Sequence, residues 1–124
     1  MIEQSLYQYL VAQSVQPAAN IHYQTAQYDG QDTFIVYSVV DQARPLNIDS
    51  LPSKRRTGFQ IDLYSKEFGV VRTLRDTVAT LLHGNGFIQD GHNVQHCFIE
   101  SEISDYEENT KLYRIALTLN LYFD

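Results

Sequence analysis

A chain of 124 residues, 44% hydrophobic and 19% charged, has enough apolar material for one core and too little length for two ordinary domains. A single domain over residues 1–124 is therefore expected, and this composition argues against disorder. The net charge of −6 and a pI near 5.0 argue against a dedicated nucleic-acid binder, which needs a basic surface, but not against a protein past which DNA moves without being held. No run of 18 apolar residues occurs, and the opening MIEQSLYQYL carries an acidic residue where an export signal is basic, so neither a membrane span nor secretion is expected.

Ile2, Leu6, Tyr9 and Leu10 stand at helical spacing within residues 2–13, which predicts a short amphipathic helix ending before Pro17. NIHYQTAQY (20–28) suits a strand, and DGQD after it is a turn signal. TFIVYSVVD (33–41) is apolar and β-branched with little alternation, as in a strand covered on both faces, and is the candidate for the centre of the sheet.

DQARPLNIDSLPSKRR (41–56) breaks the pattern and reads as a long loop, a length that is uncommon inside a compact domain unless it has a function. Its apolar residues Leu46, Ile48 and Leu51, two and three apart, are free to pack on a neighbour. Lys54, Arg55 and Arg56 form the basic cluster of the chain; they are too few for strong DNA affinity and better suited to an acidic neighbour.

TGFQIDLYS (57–65) resumes alternation, with Phe59, Ile61 and Leu63 on one face. In residues 67–82, Phe68, Val71, Leu74, Val78 and Leu81 step by three and four, with Arg72, Arg75 and Asp76 on the far side, and Gly84 is placed to cap this helix. These two sets are expected to form the main core.

NVQHCFIESEIS (93–104) and the closing KLYRIALTLNLYFD (111–124) flank the polar DYEENT and read as a long antiparallel hairpin. Tyr113, Ile115, Leu117, Leu119, Leu121 and Phe123 alternate strictly with a polar set, so the last strand should lie inside a sheet or against a partner rather than fray. Arg114 falls on the opposite face. It is expected to pair with Glu100 or Glu102 across the hairpin, or with the acidic surface of a neighbouring subunit.

The chemistry-bearing residues do not assemble into an active site, and no catalytic, cofactor or metal residue is assigned. His83, His92 and His96, with Asp90, lie within fourteen residues but lack a Cys pair or HExxH to complete a zinc set. HGNGF follows a helix end, whereas a phosphate loop precedes a helix start, so it reads as a cap and turn. Cys97 reads as a small buried apolar residue. Glu100, Glu102, Asp105, Glu107 and Glu108 read as a solvated face that repels a polyanion at close range.

The segments DTFIVYSVV, RTGFQIDLYSKEF, VVRTLRDTVATLL and above all DYEENTKLYRIALTLNLYF, in this order and spacing, resemble the tail-completion, or tail-terminator, family of long-tailed bacteriophages and prophages. Thr33 stands where a proline is common in that pattern. The resemblance implies a non-enzymatic structural protein of the virion tail, assembled in the bacterial cytoplasm. It would form a six-membered ring on the end of the tail tube, stop its polymerisation and offer the other face to the head-completion or connector protein, with DNA passing through. The implied fold agrees with the chain-order reading: α+β, one antiparallel or mixed sheet of four to five strands with two main helices on one face. A ring needs heterologous contacts between copies, and Leu46, Ile48, Leu51, Lys54, Arg55, Arg56 and Arg114 are the residues expected to make them. A small ligand-binding or regulatory α+β domain is the alternative, since such sheets host many functions.

Overall fold

The computed structural model describes residues 2–13, 20–23, 33–43, 55–89 and 92–123. In chain order the elements are α1 (Ile2–Ala12), β1 (Ile21–Tyr23), β2 (Thr33–Ala43), β3 (Arg55–Ser65), α2 (Phe68–Leu82), β4 (Phe87–Gln89), β5 (His92–Glu107) and β6 (Leu112–Phe123). The strands form one six-stranded sheet in the order β1-β2-β3-β6-β5-β4. Its β1–β2 pair is parallel and the other pairs are antiparallel, so the sheet is mixed.

The closing strand lies inside the sheet, as its alternation requires. Ile115, Leu117, Leu119, Leu121 and Phe123 are all buried, and β6 pairs with β3 on one side and β5 on the other. Leu63 faces Ile115, Ile61 faces Leu117 and Phe59 faces Leu119, so two alternating apolar sets meet in register and form the centre of one buried face. The centre of the sheet is therefore β3 and β6. The expectation that β2 would hold it is corrected, because β2 has only the three-residue β1 beyond it. Its unbroken apolar start still reflects cover on both faces: Ile35 and Tyr37 join the main core, whereas Phe34 and Val36 pack with Leu112 and Tyr64 on the other side.

Both helices pack on the main-core face. Ile2, Leu6 and Leu10 of α1 are buried, and Tyr9 stacks on Phe87 of β4 with centroids 4.1 Å apart. In α2 the buried stripe is Val71, Leu74, Val78 and Leu82, spaced three, four and four. Phe68 does not belong to it, being 46% exposed, with its ring 5.4 Å from that of Tyr113 at the end of the sheet. Leu81 is half-buried, and Leu82 takes the core position expected of it. Arg75, expected on the far side, turns back to β5 and bonds both carboxylate oxygens of Glu102 at 2.9 and 3.0 Å.

The end of α2 is capped as its sequence requires. Gly84 adopts φ +76°, a left-handed conformation that costs glycine least, and the Asn85 side-chain amide donates to the Thr80 and Leu81 carbonyls. Two residues later the chain enters β4, a short strand within what reads from the sequence as a turn. Gly86 makes this possible by close approach: a Cβ there would lie 2.5 Å from the Val94 oxygen and 2.6 Å from the Gln95 oxygen. Those atoms are main chain and cannot swing aside. Gly86→Ala is expected to cost about 1–3 kcal/mol, as overpacked sites do, and to raise amide exchange in β4; unchanged stability would show that β4 moves freely from β5.

The strands on either side of the long connection extend further than the alternation indicates. β2 runs to Ala43 and β3 begins at Arg55, paired with Phe123, so Arg55 and Arg56 belong to a strand and not to a loop. Leu46, Ile48, Leu51 and Lys54 lie outside the described residues, as do Pro17, the DGQD turn and residues 24–28 of the second predicted strand. Among the described residues no helix is long and apolar enough to cross a membrane.

Candidate assembly surface

Arg114 and Arg56 lie on the face of the sheet that carries no helix, and each organises a polar row across its central strands. Arg114 stands on β6 directly opposite Asp105 of β5 and diagonal to Asp62 of β3. Its Nη1 donates to Asp105 Oδ2 at 2.9 Å, and its Nη2 lies 3.3 Å from Asp62 Oδ1, which also accepts from Gln60 Nε2 at 3.0 Å. One cation is thereby held between two carboxylates. The second row has Arg56 Nη1 donating to Asn120 Oδ1 at 2.7 Å, while Asn120 Nδ2 donates to Glu100 Oε1.

The carboxylates beside Arg114 are thus not the expected Glu100 and Glu102. The register between β5 and β6 shifts between Ile99 and Ser101, and this bulge separates the two glutamates. Glu100 reaches Asn120 on the helix-free face, whereas Glu102 turns to the helix side and takes Arg75. Asp105, beyond the bulge, comes opposite Arg114. The partner is set by the hairpin register, in which Glu107 meets Leu112 and Asp105 meets Arg114.

Aromatic side chains border the rows. Phe34 and Tyr64 stack at 4.8 Å beside the Arg114 row, where burial foremost and the Asp62 charge next push the Tyr64 phenol above its ordinary pKa. At the other end His96 stacks on Phe98 at 5.8 Å, and Phe98 meets the Tyr122 ring edgewise at 6.2 Å while remaining 42% exposed. The polar residues Gln60, Asp62, Thr118 and Asn120 are visible in the sequence as the off-phase members of two alternating strands. Their association into rows needed the strand order.

The remaining sequence candidates lie at the junction of α2 with β5 without converging on one point. Cys97 is fully buried on the helix side, and burial pushes its thiol up to about 12, which leaves it protonated and inert near neutral pH. His83 Nδ1 accepts the Ile99 amide N–H at 3.0 Å, a bond that fastens the end of α2 to β5. His83 also meets the Phe98 ring edgewise at 6.2 Å, His96 stacks on the same ring, and the side chain of His92 lies outside the described set. Among the described residues no three His, Cys, Asp or Glu side chains gather in a metal-binding group. A shallow depression of about 420 Å³ between α2 and the hairpin is lined by Arg75, Asp76, Ala79, His83, Ile99, Glu102 and Leu117. The Arg75–Glu102 pair crosses this depression, so its polar groups are directed at each other rather than at a ligand.

Residues 4–124 match the family model described as Tail completion protein gp17. A chain of the native gene transfer agent virion particle has the same fold: it is 15% identical, with a TM-score of 0.71 over 97% of this chain and 92% of that one. A second solved structure, 13% identical, matches with a TM-score of 0.64 over 99% of this chain and 90% of its own. No curated protein matches.

Proposed function

The chain belongs to the tail completion protein gp17 family, whose members are structural, non-enzymatic components of the virion tail, and from that premise we propose that it forms a ring that ends the tail tube. Six copies close the ring, one face stops addition of tail-tube protein, and the other receives the head-completion or connector protein. Family membership over residues 4–124 is the observation that carries this reading. Charge supports it: a protein of net charge −6 holds no DNA that slides past it.

Contacts between copies are assigned to Leu46, Ile48, Leu51, Lys54, Arg55, Arg56 and Arg114. Arg114 is 22% exposed at its side chain, so it can meet a neighbouring carboxylate while holding Asp62 and Asp105. Arg114→Ala is expected to lower stability by roughly 0.2–1 kcal/mol for each cross-strand pair lost, and to weaken the ring more at low salt than at high. A variant that melts earlier but assembles like the parent confines Arg114 to its own subunit.

Native mass measurement, with and without tail-tube protein, tests the oligomer. A sixfold species is expected at the latest when tube protein is present. A chain that stays monomeric in both conditions contradicts the ring.

A further inference from the structure

Asn85 and Gly86 form the one Asn-Gly pair of the chain, and the fold uses each residue where it stands. Asn85 closes α2: its Nδ2 donates to the Thr80 and Leu81 carbonyls at 2.9 and 3.3 Å, taking up acceptors that a helix leaves unpaired at its C-terminus. Gly86 must lack a side chain, because the Val94 and Gln95 carbonyl oxygens occupy the place of a Cβ. One residue holds the helix end, and the next lets β4 lie on β5.

The same pair is chemically labile. The main-chain nitrogen that follows an asparagine can attack the side-chain amide and close a five-membered ring, and a glycine there obstructs the approach least, having no Cβ. Every other asparagine of the chain precedes a larger residue: Ile21, Ile48, Val94, Thr110 or Leu121. Asn85 and Gly86 are both exposed, so water reaches the ring once it forms. Among the described residues the Gly86 N–H makes no main-chain hydrogen bond, which leaves its nitrogen available.

We propose that Asn85 is a self-modifying site, at which attack by the Gly86 nitrogen converts the amide that caps α2 into aspartate and isoaspartate. The Gly86 nitrogen gives up its proton to solvent and bonds Asn85 Cγ. The Cγ–Nδ2 bond then breaks and ammonia departs with a proton from water, leaving a succinimide. Water opens this ring at either carbonyl. Addition at Cγ gives aspartate, and addition at the main-chain carbonyl carbon gives isoaspartate, whose main chain runs through the side chain and is longer by one methylene.

The two carbonyl bonds restrain the reaction while α2 is closed. Helix ends fray, and each opening of the last turn frees the amide to swing toward Gly86. Either product keeps the turn from closing as before. A carboxylate donates nothing to the Thr80 and Leu81 carbonyls, and it sets a negative charge at the negative end of the helix dipole. Isoaspartate also lengthens the chain where an added carbon has no room beside Val94 and Gln95. Two neighbouring contacts depend on this position: the Gly84 N–H bond to the Cys97 oxygen at 2.7 Å, and Phe87 of β4, which stacks on Tyr9 of α1. The change therefore loosens α2, β4 and α1 together. It runs in one direction and needs no enzyme, so it accumulates with the age of the chain, whether or not the chain is part of a ring.

Peptide mapping of the full chain, aged at mildly alkaline pH where the attacking nitrogen loses its proton more readily, tests the proposal. Asn85 is expected to convert at least about tenfold faster than any other asparagine, the ratio that a barrier about 1.4 kcal/mol lower produces, with isoaspartate among the products. Amide exchange at Gly84 and in β4 should quicken in step with the conversion. Asn85→Gln keeps an amide donor but would have to close a six-membered ring, which forms far more slowly. It should stay unmodified and hold its exchange rates through the same ageing. Freshly prepared Asn85→Asp should show the faster exchange at once. Conversion of Asn85 no faster than that of the other asparagines overturns the proposal, and so does a fully converted chain that exchanges as slowly as the fresh one, or ageing that loosens Asn85→Gln as much as the parent.

Discussion

Phe59→Ala is expected to remove about 3–5 kcal/mol of stability, the largest loss of any single substitution discussed for this chain. The side chain is fully buried on β3, with Val39 of β2 on one side and Leu119 of β6 on the other, so truncation opens a void between the two strands that hold the sheet together. Neither neighbour can collapse into that space without breaking register. For a domain of this size, whose whole stability is about 5–15 kcal/mol, such a loss is a large share of the total. Urea unfolding should show a lower midpoint with an unchanged slope. A loss below about 1 kcal/mol would mean that the core lies elsewhere.

Leu74→Ala is expected to cost about 2–5 kcal/mol, because Leu74 sits in the middle of the α2 stripe with Val71 and Val78 on either side. Phe68→Ala is the informative companion. Helical spacing alone assigns Phe68 to the same stripe, but in the fold it is half in solvent beside Tyr113, under the Arg72 guanidinium at 5.7 Å. It should therefore cost less than Leu74→Ala despite removing a larger side chain. Equal or greater loss at Phe68 would rotate α2 on the sheet and move Leu82 out of the core.

These two substitutions mark how far the sequence could be read. Alternation in β6 and β3 and the three-four spacing of α2 are local signals that tertiary packing had only to accept, and the α+β class follows from them. Lateral order is different. That β6 lies between β3 and β5, and that β1 runs parallel to β2, depends on pairings between residues far apart in the chain, which no local period records. β4 was hidden because three residues carry no period, and Gly86 next to it suggests a turn unless the approach of Val94 is known. Arg55 and Arg56 resembled loop residues because charge usually marks a connection, yet pairing with Phe123 and Tyr122 draws them into β3.

The candidate surface was legible in the same proportion. The position of Arg114 on the face away from the core follows from the phase of its strand, and its involvement with carboxylates follows from the charge pattern. Which carboxylates it meets does not, since the register set where Glu107 meets Leu112 brings Asp105 opposite Arg114 and leaves Glu100 and Glu102 farther along β5.

The most direct test of the tail-terminating role is the length of tail tubes assembled from purified tube protein in the presence of this chain. Tubes grown with the protein added should be shorter than those grown without it and should carry a six-copy ring at one end, visible by electron microscopy. Tubes of unchanged length, with no density added to either end, would contradict it.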